Sequence, residues 1–336
     1  MNKYSQIFRL TVLTAWIFVV GCNYKMDIPT EFPTPPPDPP ATPAPKLALK
    51  LDAELEKQIA KIAEEAKGKV GVAAVVLETG DAAMLNADQH FPMQSVYKLP
   101  ISMAVMDQIR QDKLALDEQI GVTKEDMVRQ GQRSPLRDAN PNGGEFTIRE
   151  LIRLALVESD GSTSDILMRV AGGAGEIQSY LTQIGIQDIK VVNTEKELGK
   201  DWDTQYQNWA TPAAAVELLR HLFSKAYPAG NYPTNMGDTV TQLQLLVGDL
   251  ATSNTGPNRL KGQLPKGIVV AHKTGTSGAQ NGITAATNDI GIITLPNSKH
   301  LAISVFVSDS PADEKTREAV IAKIAKACWD RWSKKN

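Results

Sequence analysis

The sequence predicts an α/β fold in its α+β form: an antiparallel sheet built from both ends of the globular chain, flanked by terminal helices, with an all-helical lobe inserted between. Three observations predict it. Apolar strand patterns cluster near the two ends of the globular part, helical periodicity fills the middle, and one amphipathic helix stands at each extreme.

In chain order, Leu51, Leu55, Ile59 and Ile62 recur at helical spacing between Leu47 and Lys67, with Gly68 placed to close the helix. Val70 to Leu77 reads as a strand, and Glu78-Thr79-Gly80-Asp81 as the turn of a hairpin. Helical segments are expected over Ser95–Gln111, Ile148–Val170, Ala174–Ile184 and Pro212–Phe223, which place the helical lobe at roughly 93–250. Ile268–Ala271 is an apolar strand. Asp289–Leu295 and His300–Val307 pair around Pro296-Asn297-Ser298, and Ala312–Trp332 closes the chain as a helix with Cys328 on its apolar face.

Ahead of this unit (residues 47–336) the chain is of another kind. Lys3 and Arg9 precede an eleven-residue apolar run, Leu10–Val20, which is too short to span a bilayer but suits a secretory signal. It ends in Val19-Val20-Gly21-Cys22, similar to the lipobox of bacterial lipoproteins, so residues 1–22 are expected to be a lipoprotein signal with Cys22 the lipidated residue. Of the 20 prolines, nine lie between Pro29 and Pro45, so residues 23–46 are expected to form an extended linker. The expected location is exported and membrane-tethered, in the periplasm.

Composition excludes several functions. Lys plus Arg number 36 and Asp plus Glu 38, giving a net charge of −2, without the basic surplus of a nucleic-acid binder. Two Cys and four His, none at zinc-ligand spacing, leave neither a disulfide framework nor a metal site, and no cofactor is expected. A monomer is expected, since no interface stripe is evident.

Three short motifs carry chemistry. Ser95-Val96-Tyr97-Lys98 opens a helical pattern, and i, i+3 spacing puts hydroxyl and amine on one face. A serine needs a base to become a nucleophile, and a desolvated lysine can serve. Ser159-Asp160-Gly161 follows within ALVESDGSTSDILMRV, and Lys273-Thr274-Gly275-Thr276-Ser277 follows the strand at Ile268–Ala271. Each string alone is common, whereas the ordered set resembles that of class A β-lactamases and penicillin-binding proteins, whose second motif carries Asn where Gly161 stands.

The chain from about Leu47 to Trp332 therefore resembles a serine β-lactamase of the β-lactamase/DD-peptidase fold. Asn193-Thr194-Glu195-Lys196-Glu197-Leu198 is similar to the omega-loop segment of class A, with Glu195 matching its deacylating glutamate and Glu197 the weaker candidate. FPMQSVYK, QYQNWATP and HKTGTSGAQNGITAATNDIGI resemble the PER- and VEB-type extended-spectrum branch.

Four departures from the commonest class A pattern stand out. Gly161 replaces an Asn that contacts substrate, and Gly199 replaces an Asn that helps hold the hydrolytic water. Asn193 and Asn208 stand in place of an Arg–Asp pair, and the resemblance implies that Asp165 bonds Asn208 to support the loop. Arg133 takes the place of an aromatic gatekeeper over the cleft. Class A carbapenemases often carry a disulfide from the residue before the nucleophile; here that residue is Gln94.

The resemblance implies catalysis by Ser95, Lys98, Ser159 and Glu195, an oxyanion hole from the N–H groups of Ser95 and Thr276, and substrate binding by Lys273, Thr274, Gly275, Thr276 and Ser277, with Arg259 a further candidate for the substrate carboxylate. The expected reaction is hydrolysis of the β-lactam ring of penicillins and cephalosporins, conferring antibiotic resistance. Two alternatives share the motifs: a D-alanyl-D-alanine peptidase and a β-lactam-sensing domain that stays acylated. Glu195, a base for the second half-reaction, speaks against both.

Overall fold

The computed structural model describes residues 48–227 and 242–334. The expected signal, Cys22 and proline-rich linker lie outside the described residues.

A six-stranded sheet runs in the spatial order Lys50–Leu51, Asp81–Leu85, Lys69–Val76, His300–Ser308, Thr287–Thr294 and Val270–Thr276. Every pairing is antiparallel except that of Lys50–Leu51, a two-residue strand parallel to Asp81–Ala82. That strand occupies part of the segment expected to be helix. The helix begins only at Ala53, where Asp52 caps it by accepting from Leu55 N at 3.1 Å.

The central strands are apolar on both faces, and alternation sends their side chains into two cores. Val70, Val72, Ala74 and Val76 pack with Leu55, Ile59, Val320, Ile321 and Ile324 of the terminal helices Ala53–Ala63 and Glu314–Trp332. Ala73 and Val75 face the larger core, with Tyr97, Leu99, Met103, Leu151 and Leu219 of the inserted lobe. Cys328 is a buried free thiol within the first core.

The lobe departs from expectation in two ways. It is not all helix: Gln119–Val122 pairs with Gly144–Thr147, and Trp209–Ala210 bridges Phe91–Pro92 and Ile189–Lys190. Nor is Ile148–Val170 continuous. Helix Ile148–Val157 stops, and Gly161–Val170 begins after Asp160, which caps it through Thr163 N at 2.9 Å. The break falls on the second motif. Among the described residues no helix is long and apolar enough to cross a membrane.

Candidate active site

The nucleophile candidate is held between the lobe and the sheet edge. Ser95 lies in the short 3₁₀ turn Gln94–Tyr97, which runs directly into helix Lys98–Arg110. Gln94 adopts φ +48°, and its amide donates to Gln205 Oε1 at 2.9 Å. Asn288 Nδ2 of the sheet donates to Pro92 O at 2.8 Å and Met93 O at 3.2 Å, tying the entry to the turn onto the sheet. Strand Val270–Thr276 then passes so close that a β-carbon at Gly275 would overlap Met93 O and press on Val96 Cγ2 at 3.3 Å. Only glycine lets the strand carry Lys273 and Thr276 to the serine.

The ladder fixes which N–H groups of that strand are free. Thr294 N donates to Val269 O at 3.1 Å and Ser277 N to Ala286 O at 3.0 Å, so hydrogen-bonded pairs fall on its odd-numbered residues. Thr274 and Thr276 therefore turn their N–H and C=O groups away from the sheet, and the strand is its edge. Ser95 N–H, at the start of its turn, is likewise an orphan donor of a helix N-terminus.

Ser159 sits where the helix breaks, at φ +57°, a conformation that costs a non-glycine residue roughly 1–2 kcal/mol. The cost turns both its polar groups toward lysines. Lys98 Nζ donates to Ser159 O at 2.8 Å, and Lys273 Nζ donates to Ser159 Oγ at 2.8 Å. Both amines are buried. Burial, and after it the charge of Lys98, pushes the Lys273 amine well below the usual lysine range. Lys98 also stands 3.4 Å from Glu195 Oε2. Among the described residues its amine makes no hydrogen bond to Ser95 Oγ.

Glu195 begins the single helical turn Glu195–Leu198, capped by Thr194. Glu197 is occupied in that cap, accepting from Thr194 N and Oγ1 at 2.9 and 3.0 Å. The implied bond between Asp165 and Asn208 does not occur. Asp165 instead accepts from Glu195 N at 2.6 Å and Lys196 N at 3.1 Å, while buried Asn208 accepts from Val192 N at 2.8 Å and Asn193 N at 2.9 Å and donates to Asn193 O at 2.8 Å. The two residues hold opposite ends of the segment: open N–H groups of the short helix draw the carboxylate, and the extended stretch before it draws the amide.

The glycine departures are filled spaces. A β-carbon at Gly161 would lie 2.8 Å from Glu195 Cγ, so the glycine admits the carboxylate chain. At Gly199 it would lie 2.7 Å from Gln132 Nε2, whose amide donates to Glu195 O. Arg129 donates to Gly199 O.

Arg259 is buried and does not project into the cleft as a free cation. It pairs with Glu318 Oε1 at 3.0 Å, donates to Gly275 O and Asn288 O, and reaches Thr276 Oγ1 at 2.8 Å. It lines the cleft beside Thr276 with its charge partnered by Glu318. Thr274 Oγ1 donates to Thr255 Oγ1 at 2.8 Å, and Ser277 Oγ accepts from Ala286 N at 2.8 Å. Arg133, more than half exposed at the rim, donates to Glu158 O at 2.6 Å. Ser95, Ser159, Glu195, Thr274, Thr276 and Ser277 open onto one cleft of about 780 Å³, a size suited to a small ligand.

Residues 54–332 match the model of the β-lactamase enzyme family. The chain belongs to that family. It is 38% identical to β-lactamase VEB-1 of Pseudomonas aeruginosa over 278 residues (83% of this chain, 90% of that protein) and 37% identical to extended-spectrum β-lactamase PER-1 of the same organism, over 81% of this chain and 85% of that one. Solved structures agree. The TLA-3 extended-spectrum β-lactamase superposes with TM-score 0.77 at 40% identity, covering 84% of this chain and 99% of that one, and a β-lactamase from Chitinophaga pinensis with TM-score 0.77 at 39%, covering 83% and 99%. This is a PER/VEB-like class A β-lactamase, a hydrolase of β-lactams associated with resistance.

Several contributors have no signature in the sequence: Gln132, Thr255, Gln205 and the Tyr97 hydroxyl reach the site only through the fold.

Burial pushes the Asp165 carboxyl up to about 7, against the pull of its two N–H donors and with the charge of Glu195 adding to the rise. An acid whose pKa is higher folded than unfolded takes up a proton on folding, so between pH 4 and 7 its ionisation weakens the fold as pH rises. The stability advantage of the parent over Asp165→Asn, read from denaturant unfolding, should fall by roughly 2–4 kcal/mol from pH 4 to pH 7. A difference flat with pH would contradict this.

Proposed function

We propose that this enzyme hydrolyses penicillins and cephalosporins through an acyl-enzyme on Ser95. The observation that carries the reading is the cluster in which Lys98 meets Ser159 O and Glu195 together while Lys273 holds Ser159 Oγ. Ser95 Oγ attacks the lactam carbonyl, and its proton leaves to Lys98 directly or to Glu195 through a water. The Ser95 and Thr276 N–H groups face the developing oxyanion; such donors are typically worth about 2.7–4 kcal/mol each. Ser159 passes its proton to the departing lactam nitrogen and is resupplied with the proton taken from Ser95, returned through Lys98, so that Glu195 enters deacylation as a carboxylate, while Lys273 holds Ser159 Oγ in place. Lys273, Thr274 and Thr276, with Gly275 as the close-passing backbone and Ser277 at the cleft mouth, receive the substrate carboxylate. Glu195 then activates water against the ester.

The breadth of substrate follows from likeness to relatives named extended-spectrum. Stopped-flow nitrocefin hydrolysis, followed by steady-state assays on a penicillin and a cephalosporin, tests the reading. Sustained turnover of all three is expected. A single burst without turnover would place the protein with the sensors.

We further propose export and lipid anchoring at Cys22, supported by the Lys3–Cys22 leader pattern. Cells fed labelled fatty acid should incorporate it into the parent and not into Cys22→Ala; an unlabelled parent contradicts the anchor.

A further inference from the structure

Tyr97 is an inner residue of the first motif to which the mechanism above gives no role. Its side chain is fully buried, and its hydroxyl lies 3.0 Å from Glu195 Oε2 and 3.3 Å from Ser164 Oγ. Ser164 Oγ donates to Gly161 O at 2.7 Å. The nearer and charged acceptor for the tyrosine proton is therefore Glu195, and burial, reinforced by the Glu195 and Asp165 charges, keeps the phenol protonated by raising it well above the usual range.

The two oxygens of Glu195 are thus unequal. Oε2 receives the Tyr97 hydroxyl and faces Lys98 at 3.4 Å, whereas Oε1 has no protein partner among the described residues. The backbone beneath is fixed by Asp165, which accepts from Glu195 N, and by Gln132, which donates to Glu195 O. The space for the carboxylate chain exists because residue 161 is glycine.

We infer that Tyr97 is a positioning residue for deacylation: its hydroxyl pins Oε2 of Glu195 so that Oε1 is presented to the hydrolytic water. The inference rests on Glu195 being the deacylating base. Fixing one carboxylate oxygen through a buried donor removes the rotation that would otherwise spread the base over unproductive orientations, and misplacement by about 1 Å can cost 10²-fold. No bond is made or broken at Tyr97. It donates throughout, while the proton from water passes to Oε1.

The test is a double-mutant cycle read as acyl-enzyme decay, by quenching and intact-mass spectrometry after a β-lactam pulse. Tyr97→Phe removes one oxygen and keeps the buried ring. It should slow decay about ten- to hundredfold when Glu195 is present, and less than about twofold in the Glu195→Gln background, where there is no base left to aim. Equal slowing in both backgrounds, the mark of a purely structural role, overturns the inference, as does unchanged decay with Glu195 present. A Glu195→Gln single variant that decays at the parent rate overturns the reading of Glu195 itself and this inference with it.

Discussion

Replacing Ser95 by Ala should lower kcat/KM for β-lactams by about 10⁴- to 10⁶-fold, as loss of a nucleophile that acts as a unit with its base typically does. The geometry leaves no substitute. Ser159 Oγ is committed to Lys273, Thr274 Oγ1 donates to Thr255, and Thr276 Oγ1 accepts from Arg259. Ser95 is the hydroxyl beside two outward-facing N–H donors. Those donors and the carboxylate-binding groups remain in the variant, so equilibrium binding of a penicillin should stay within a few-fold of the parent's apparent affinity. Residual activity above about one percent would mean that another group attacks the ring.

Glu195→Gln should slow deacylation by about 10²- to 10⁴-fold, the usual contribution of a general base. The change is nearly isosteric, and the packing against Gly161 and the Asp165 bond to the backbone N–H persist. Stopped-flow acylation of the same variant separates the two routes for the first proton. If Lys98 takes it directly, acylation survives; if Glu195 takes it through water, acylation falls with deacylation. Lys98 lies close enough to Ser159 O and Glu195 Oε2 to serve either route.

Much of this architecture was legible before the fold was known, for a physical reason. The strands at 69–76 and 300–308 are buried on both faces and read as apolar runs bounded by turns, and the strand at 287–294 shows the same signal only from Ile290, after the buried polar residues Thr287, Asn288 and Asp289. The three motifs carry residue types whose chemistry is specific in combination. What escaped was set by tertiary contact. The break at Glu158–Asp160 depends on Ser159 at positive φ, which a non-glycine residue does not announce. The Tyr97–Glu195 bond spans 98 residues, and nothing local distinguishes this tyrosine from a core aromatic. The glycines at 161 and 199 read as lost amides, yet in the fold they are room for Glu195 and Gln132. The pairing implied for Asp165 failed because unpaired N–H groups at the start of a four-residue helix attract a carboxylate more strongly than a distant side-chain amide does.

The central claim, an acyl-enzyme on Ser95 cleared by Glu195, is tested most directly by intact-mass spectrometry with peptide mapping of Glu195→Gln after exposure to a β-lactam. The account predicts an adduct of one β-lactam per chain, located on the peptide carrying Ser95 and persisting long after the parent enzyme has returned to its free mass. An adduct on another residue, or clearance from the variant as fast as from the parent, would contradict it.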